Sequence, residues 1–310
     1  MIRALVAAPG VPGGIELREV DEPTPAATFA LVEVRASSLN RGECSALRTA
    51  LEGWRPGWDL AGVVARAAAD GSGPREGARV VGWVSGGAWA ERVAVRTDHL
   101  AELSEALSFE VASTLPVAGL TAAGILSQPG SLLGKRVAIT GAAGGVGRFA
   151  VQLASMAGAH VTAVVGSTER GRGLEDLGAN DVVVGMPAEG EPFDLVADSV
   201  GGAMLAAAMG RLSHDGVLVT FGNSSGEETS FDARTFYRSG APMMIGYFVT
   251  HELLRGRIGT SRLGALAALV AEGRLRTEID LVVPWTEAAS AIEALLERRV
   301  NGKAVLTLGA

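Results

Sequence analysis

The chain is 310 residues long, 48% apolar and 20% charged, with a net charge of −7. That length suits two domains and the apolar share supplies a core, while the charge balance argues against a general nucleic-acid-binding role. A single cysteine, Cys44, rules out an internal disulfide and a cysteine-rich zinc lobe.

The chain opens on an apolar strand, Met1-Ile2-Arg3-Ala4-Leu5-Val6. Neither a signal-peptide pattern nor a membrane-spanning run is present, so the expected location is cytoplasmic. Up to about residue 112, short alternating runs and turns dominate, among them Gly13–Val20, Ala30–Ala36, Ala61–Ala65 and Pro74–Gly82. Such spacing predicts a compact, barrel-like β domain. From about 113 to 250, strands alternate with helices, the strands falling at 137–141, 160–165, 181–184, 194–198, 216–221 and 243–246. That alternation is the pattern of a doubly wound α/β sheet. The tail predicts a helix at 259–273, a strand at 279–283, a helix at 286–298 and a last strand at 303–308.

The most specific local signal is Val137-Ala138-Ile139-Thr140-Gly141-Ala142-Ala143-Gly144-Gly145-Val146-Gly147. It reads as a buried strand, a glycine-rich turn and the start of a helix. Small residues let the backbone approach a ligand closely, and the amides that open the helix face it with partial positive charge. A pyrophosphate fits such a site, although a tight turn with nothing bound has the same local pattern. Val146, Phe149, Ala150, Leu153 and Ala157 recur at helical spacing, and Gly158 closes the helix in a left-handed cap. His160–Val165 then forms a second buried strand, which completes a βαβ unit of about 30 residues.

Gly166-Ser167-Thr168-Glu169-Arg170 follows that second strand. An NAD site usually places an acid directly there, to accept from the ribose hydroxyls. Here Ser167 can donate to a 2′-phosphate and Arg170 can add a charge-assisted hydrogen bond. NADPH is therefore favoured; the alternative for Arg170 is an ordinary solvated charge, and Glu169 weighs against the phosphate.

From end to end the chain resembles the medium-chain dehydrogenase/reductase superfamily, in its zinc-free quinone oxidoreductase-like branch. The marks are Asn40 and Glu43, Pro56–Gly62, Leu115–Ala122, the glycine turn, Leu177-Gly178-Ala179, Asp198–Gly202, Gly222 and Gly302–Leu306. The resemblance implies a GroES-like β domain, interrupted by a Rossmann domain and completed by the C-terminal segment. The corresponding boundaries are 1–115, 116–250 and 251–310. It also implies that nicotinamide and substrate meet between the two domains, with cofactor contacts from Gly141, Ala143, Gly144, Gly145, Val146, Gly147, Ser167, Arg170, Ser199, Gly222, Asn223, Phe248 and Val249.

Zinc-dependent relatives use a cysteine and a histidine ligand, which by this resemblance fall at Asn40 and Trp58. Neither is a normal zinc ligand. His99, His160, His214 and His251 are scattered, each read as a surface or loop histidine, so no catalytic metal is expected. Hydride addition to a quinone or a conjugated carbonyl then needs a donor for the developing oxyanion. Asn40 is one candidate, the alternative being a turn asparagine. By resemblance, Thr121 and Tyr247 fall near the nicotinamide; their alternatives are a helix N-terminal residue and a packing tyrosine. Asp59 is expected to orient Arg41 or Arg48, or to cap a turn. Trp54, Trp58, Trp83 and Trp89 lie in the first domain, as core or as an aromatic wall for a flat substrate.

Tyrosines that many relatives carry soon after Asn40 and after the third strand of the α/β region are missing, the latter place being Gly185. Three functions follow: an NADPH-dependent quinone or enone reductase, a biosynthetic enoyl reductase acting on a polyketide-like intermediate, and a non-catalytic NADPH-binding sensor. The family usually dimerises through the sheet edge, and the apolar stretch Pro242–Phe248 is either such an edge or an internal strand.

Overall fold

The computed structural model describes every residue except Ser239, Arg257, Ile258 and Ala310. Two compact units emerge. One comprises Met1–Leu120 with Thr250–Ala310, the other Thr121–Val249.

The first stretch contains β1 (Ile2–Ala7), β2 (Ile15–Val20), β3 (Phe29–Ser38), α1 (Arg41–Ala46), β4 (Asp59–Arg66), β5 (Arg79–Trp83), β6 (Arg92–Arg96), β7 (Leu100–Glu102) and α2 (Phe109–Ser113). A π-helical turn at Leu115–Gly119 follows. The middle of the chain runs α3 (Leu120–Leu126), β8 (Arg136–Thr140), α4 (Gly145–Met156), β9 (His160–Val165), α5 (Thr168–Gly171), β10 (Asp181–Val184), β11 (Phe193–Asp198), α6 (Gly202–Met209), β12 (Leu212–Thr220), α7 (Ala233–Tyr237) and β13 (Met243–Gly246). The return is α8 (Val249–Leu254), α9 (Thr260–Ala271), β14 (Ile279–Pro284), α10 (Ala288–Leu296) and β15 (Lys303–Thr307).

In the first unit, β14-β15-β3-β4-β5-β7 form a seven-stranded sheet with β6, which pairs the long strand β3. Its pairings are antiparallel apart from β14–β15. The last strand of the chain therefore lies beside β3, with Val305 opposite Ser38. The core gathers Leu5, Val32, Leu60, Trp89, Trp285 and Leu306. Trp83 and Trp89 are wholly buried, so both are core residues and not an exposed aromatic wall. His99 is also buried, edge-on to Trp83 at 5.2 Å between ring centroids, so of its surface and loop readings the surface one is corrected.

The second unit holds six parallel strands in the order β10-β9-β8-β11-β12-β13. The order reverses between β8 and β11, and ligands of such sheets bind outside the strand C-termini at that switch point. Phe149, Ala150, Val151 and Ala154 of α4 are buried, and Gly158 ends the helix at φ +83°. Leu205, Ala208 and Met209 of α6 pack with Ala138, Val164, Val196 and Leu218 of the sheet. Strand β12 begins four residues before the expected position: Leu212 pairs with Phe193 and Val217 with Leu195, and the polar Ser213-His214-Asp215 falls in the register shift between them. Strand β13 is the sheet edge, and its Met243 and Met244 are exposed. Among the described residues, no helix is long and apolar enough to cross a membrane.

Candidate active site

In the second unit, Gly141 leaves β8 at φ +61° and the chain reaches α4 through Gly144, its N-cap. The first amides of a helix have no intrahelical acceptor, so Gly145, Val146 and Gly147 present theirs to a ligand. Gly147 admits no side chain: a Cβ would lie 2.6 Å from both Ala142 Cα and the Ala142 carbonyl oxygen. The turn is thus a cradle that only glycine can close, and a dinucleotide pyrophosphate fits it.

Neighbouring strand ends are tied to this turn. Thr140 Oγ1 donates to Asp198 Oδ1 at 2.7 Å and accepts from the Ser199 amide at 3.1 Å. Ser199 Oγ donates to the Thr140 carbonyl at 3.2 Å, and the Gly201 amide donates to Asp198 Oδ2 at 2.9 Å. Gly222 passes close over Ser199, where a Cβ would lie 3.2 Å from the Ser199 carbonyl oxygen. The Ser224 amide donates to that carbonyl at 3.0 Å, which holds the Gly222-Asn223 segment beside Ser199. Ser167 stands at the N-cap position of α5, without a side-chain cap bond, and the last turn of α5 carries Arg170. The predicted cofactor residues of β8, β9, β11 and β12 therefore all lie at C-terminal strand ends, while Phe248 and Val249 follow β13.

Tyr247 is buried, and its amide donates to the Thr220 carbonyl at 2.8 Å. Its phenol lies directly over Gly124 of α3, where any Cβ would overlap the hydroxyl. Gly124 is three residues from Thr121, hence on the same helix face. The fold brings Tyr247 to within one helical turn of buried Thr121.

Asn40 belongs to the other unit, in a wholly internal polar cluster. Its Nδ2 donates to Glu43 Oε1 at 3.0 Å and to Asp59 Oδ2 at 2.8 Å. Its Oδ1 accepts from Lys303 Nζ at 2.8 Å, and its backbone amide donates to Glu43 Oε1 at 2.9 Å. Both amide hydrogens are committed, so Asn40 in this arrangement has none to offer a substrate oxyanion, and the donor reading is corrected to a positioning one. Asp59 also accepts from Ser38 Oγ at 2.7 Å and from the Val117 amide, in the π-helical turn, at 2.9 Å. It orients Asn40, whereas Arg41 reaches the carbonyls of Leu295 and Leu296 at the end of α10.

Burial works against each charge in this cluster, and the neighbouring groups offset it. Lys303 Nζ bonds the Leu39 carbonyl at 2.9 Å and lies 3.7 Å from Asp59 Oδ2. Burial lowers the Lys303 ammonium and raises Asp59, but each opposes the other's shift, and Asp59 has three hydrogen-bond donors besides. Glu43 is raised to about 8, first by burial and then by the Asp59 charge. Lys303 and Asp59 thus lie at ion-pair distance, beside a Glu43 whose proton is held more tightly than usual. Trp58, the other position where the resemblance places a zinc ligand, lays its indole against Gly42 of α1. Cys44 is buried and its thiol is pushed well up, first by burial. Among the described residues, no group of three His, Cys, Asp or Glu side chains is placed to hold a metal. In the sequence, Glu43 and Lys303 figure only as parts of the family marks, and neither is assigned a function there.

A glycine cradle at the switch point of a parallel sheet in one unit, and a buried polar centre in the other, define a dinucleotide-dependent enzyme fold. A family model described as zinc-binding dehydrogenase matches residues 176–306. A probable mitochondrial zinc-binding oxidoreductase of Arthroderma benhamiae is 31% identical, over 92% of this chain and 91% of that protein. A quinone oxidoreductase of Pseudomonas aeruginosa is 30% identical over 71% of each. The crystal structure of Escherichia coli quinone oxidoreductase complexed with NADPH superposes with a TM-score of 0.88 at 24% identity, covering 99% of this chain and 100% of that one. The chain belongs to the medium-chain dehydrogenase/reductase superfamily as a quinone oxidoreductase-like member. It is an oxidoreductase.

Proposed function

We propose that this protein is an NADPH-dependent, zinc-independent reductase that acts on a quinone or an α,β-unsaturated carbonyl. The observation that carries this reading is the pairing of the Gly141–Gly147 cradle with Ser167 and Arg170 after β9, where an NAD site would place an acid. The E. coli relative's NADPH complex supports the same cofactor. Zinc independence rests on the residues at the two zinc-ligand positions: Asn40 is spent inside a hydrogen-bonded cluster and Trp58 packs on α1.

Bound NADPH would supply the hydride, and one proton from solvent or a side chain completes a hydroquinone or a saturated carbonyl. The amides of 145–147 hold the pyrophosphate, while Ser167 and Arg170 read the 2′-phosphate. Thr121 and Tyr247 are the polar side chains offered to the reacting centre, Tyr247 as proton donor. Lys303, Asp59 and Glu43 keep Asn40 in one orientation. The protein works in the cytoplasm as a homodimer joined along β13.

The test is NADPH oxidation against a panel of quinones, enones and enoyl thioesters, run with NADH in parallel and with a chelator. Turnover of quinone or enone with NADPH, unaffected by chelator, is the expected result. Turnover confined to enoyl thioesters favours the biosynthetic reductase, and binding without turnover favours the sensor. Chelator-sensitive activity overturns zinc independence.

A further inference from the structure

Arg148 lies in the first turn of α4 and is only 5% exposed. Arginine is rarely buried to this degree without a specific set of acceptors. Its Nε donates to the Ala143 carbonyl at 3.3 Å, and its Nη2 donates to the Arg172 carbonyl at 3.3 Å. The first carbonyl belongs to the glycine turn. The second belongs to the C-cap of α5, the helix that begins at Ser167 and carries Arg170.

Helix α5 is four residues long. One helical turn has no stability of its own, so its position must be imposed by its surroundings. Gly171 anchors it from one side, where a Cβ would lie 2.7 Å from Val182 Cγ1 of β10. Arg148 anchors its C-terminal end and ties it to the pyrophosphate turn. A planar guanidinium is suited to this because it offers several donors in a fixed fork and keeps its charge when buried. Lysine carries its three donors on one nitrogen, so it lacks the fork of separated donors that reaches from one carbonyl to the other.

We propose that Arg148 is a specificity-determining positioning residue: by bridging the glycine turn to the end of α5, it sets the spacing between pyrophosphate and 2′-phosphate recognition and so favours 2′-phosphorylated dinucleotides. The inference rests on the NADPH reading above. Losing the bridge leaves each phosphate site locally formed but lets α5 move relative to the turn. A ligand that uses both sites then loses affinity, and one that uses only the turn does not.

The experiment measures dissociation constants for NADPH, NADH, 2′,5′-ADP and ADP with the full chain and with Arg148→Met and Arg148→Lys, alongside amide exchange over 166–172. Expected are a tenfold or greater weakening of NADPH and 2′,5′-ADP in Arg148→Met, less than threefold for NADH and ADP, and faster exchange in 166–172 while α4 stays protected. Arg148→Lys falls between. Equal weakening of phosphorylated and unphosphorylated ligands, or none, overturns the proposal while leaving the NADPH reading intact. A wild-type protein that binds NADH as tightly as NADPH overturns both. Should Arg148→Met fail to fold, Arg148→Lys decides alone: a lowered NADPH-to-NADH preference supports the bridge, and a retained preference overturns it.

Discussion

Lys303 Nζ and Asn40 Oδ1 are joined at 2.8 Å across 263 positions of sequence. The bond exists because β15 pairs with the end of β3, just before Asn40. It fixes which way the Asn40 amide faces, since the oxygen must meet the ammonium and the nitrogen must meet the two carboxyls. The final strand of the chain therefore sets the polar centre of a unit whose other members lie in the first 60 residues.

Removing the Lys303 charge leaves Asp59 and Glu43 buried without a cation. Breaking one side of a buried ion pair costs about 3–5 kcal/mol. Lys303→Met is expected to lower the urea midpoint by that equivalent, and Lys303→Met with Asp59→Asn to lower it by less than the sum of the single changes. Strict additivity in the double variant would show that the two residues do not act as a pair.

Glu43 carries a pH dependence of defined sign. Its carboxyl titrates near 8 in the folded protein against an ordinary value of 4.5. Below pH 4.5 both folded and unfolded chains keep the proton. Between 4.5 and 8 the unfolded chain releases it and the folded chain does not, so this contribution to stability declines as pH rises and is lost above 8. Glu43→Gln mimics the neutral acid and is expected to lack that decline. Thermal melts of both proteins from pH 5 to pH 9 check this; parallel profiles would show that Glu43 is not held neutral.

Much of the second unit was readable from local pattern. The Gly141–Gly147 turn and the strands around it are contiguous in sequence, and each strand's apolar run is short and bounded by turn residues. The polar cluster was not readable in the same way. Asn40 has an amide that suits an oxyanion, and nothing in the sequence tells that both its hydrogens are taken by Glu43 and Asp59. Lys303 falls in a predicted strand with no partner visible in the local pattern, because its burial depends on groups as far back as Leu39, 264 residues earlier. His99 reads as a loop residue because its burial comes from Trp83, on a strand that the 3-10 turn packs back against. Tertiary pairing decided each of these cases.

Among the described residues, strand β13 is the last of its sheet, and its Met243 and Met244 are exposed. Exposed edges that are apolar tend to be paired or covered. Pairing with β13 of a second copy would satisfy both features in an isologous contact. Light scattering is expected to give twice the chain mass for the native protein and one chain mass for Met244→Asp. A native protein that is monomeric at micromolar concentration removes the dimer.

Tyr247 and Gly124 give the last prediction. The phenol occupies the space that a Cβ at Gly124 would need, so Gly124→Ala must displace it. If Tyr247 donates the proton in alkene reduction, Tyr247→Phe loses the acid and Gly124→Ala misplaces it. Positioned general acids contribute roughly 10²–10⁴-fold. Both variants are expected to slow enone reduction by about 10²-fold or more, and to slow quinone reduction far less, because a hydroquinone oxygen takes its proton readily from water. The contrast between the two substrates separates acid catalysis from packing. Equal losses on quinone and enone, with weaker NADPH binding, would make Tyr247 a support for the cofactor. Unchanged rates in Tyr247→Phe with a loss in Gly124→Ala would assign the effect to the shape of α3 beside Thr121, and leave solvent as the source of the proton.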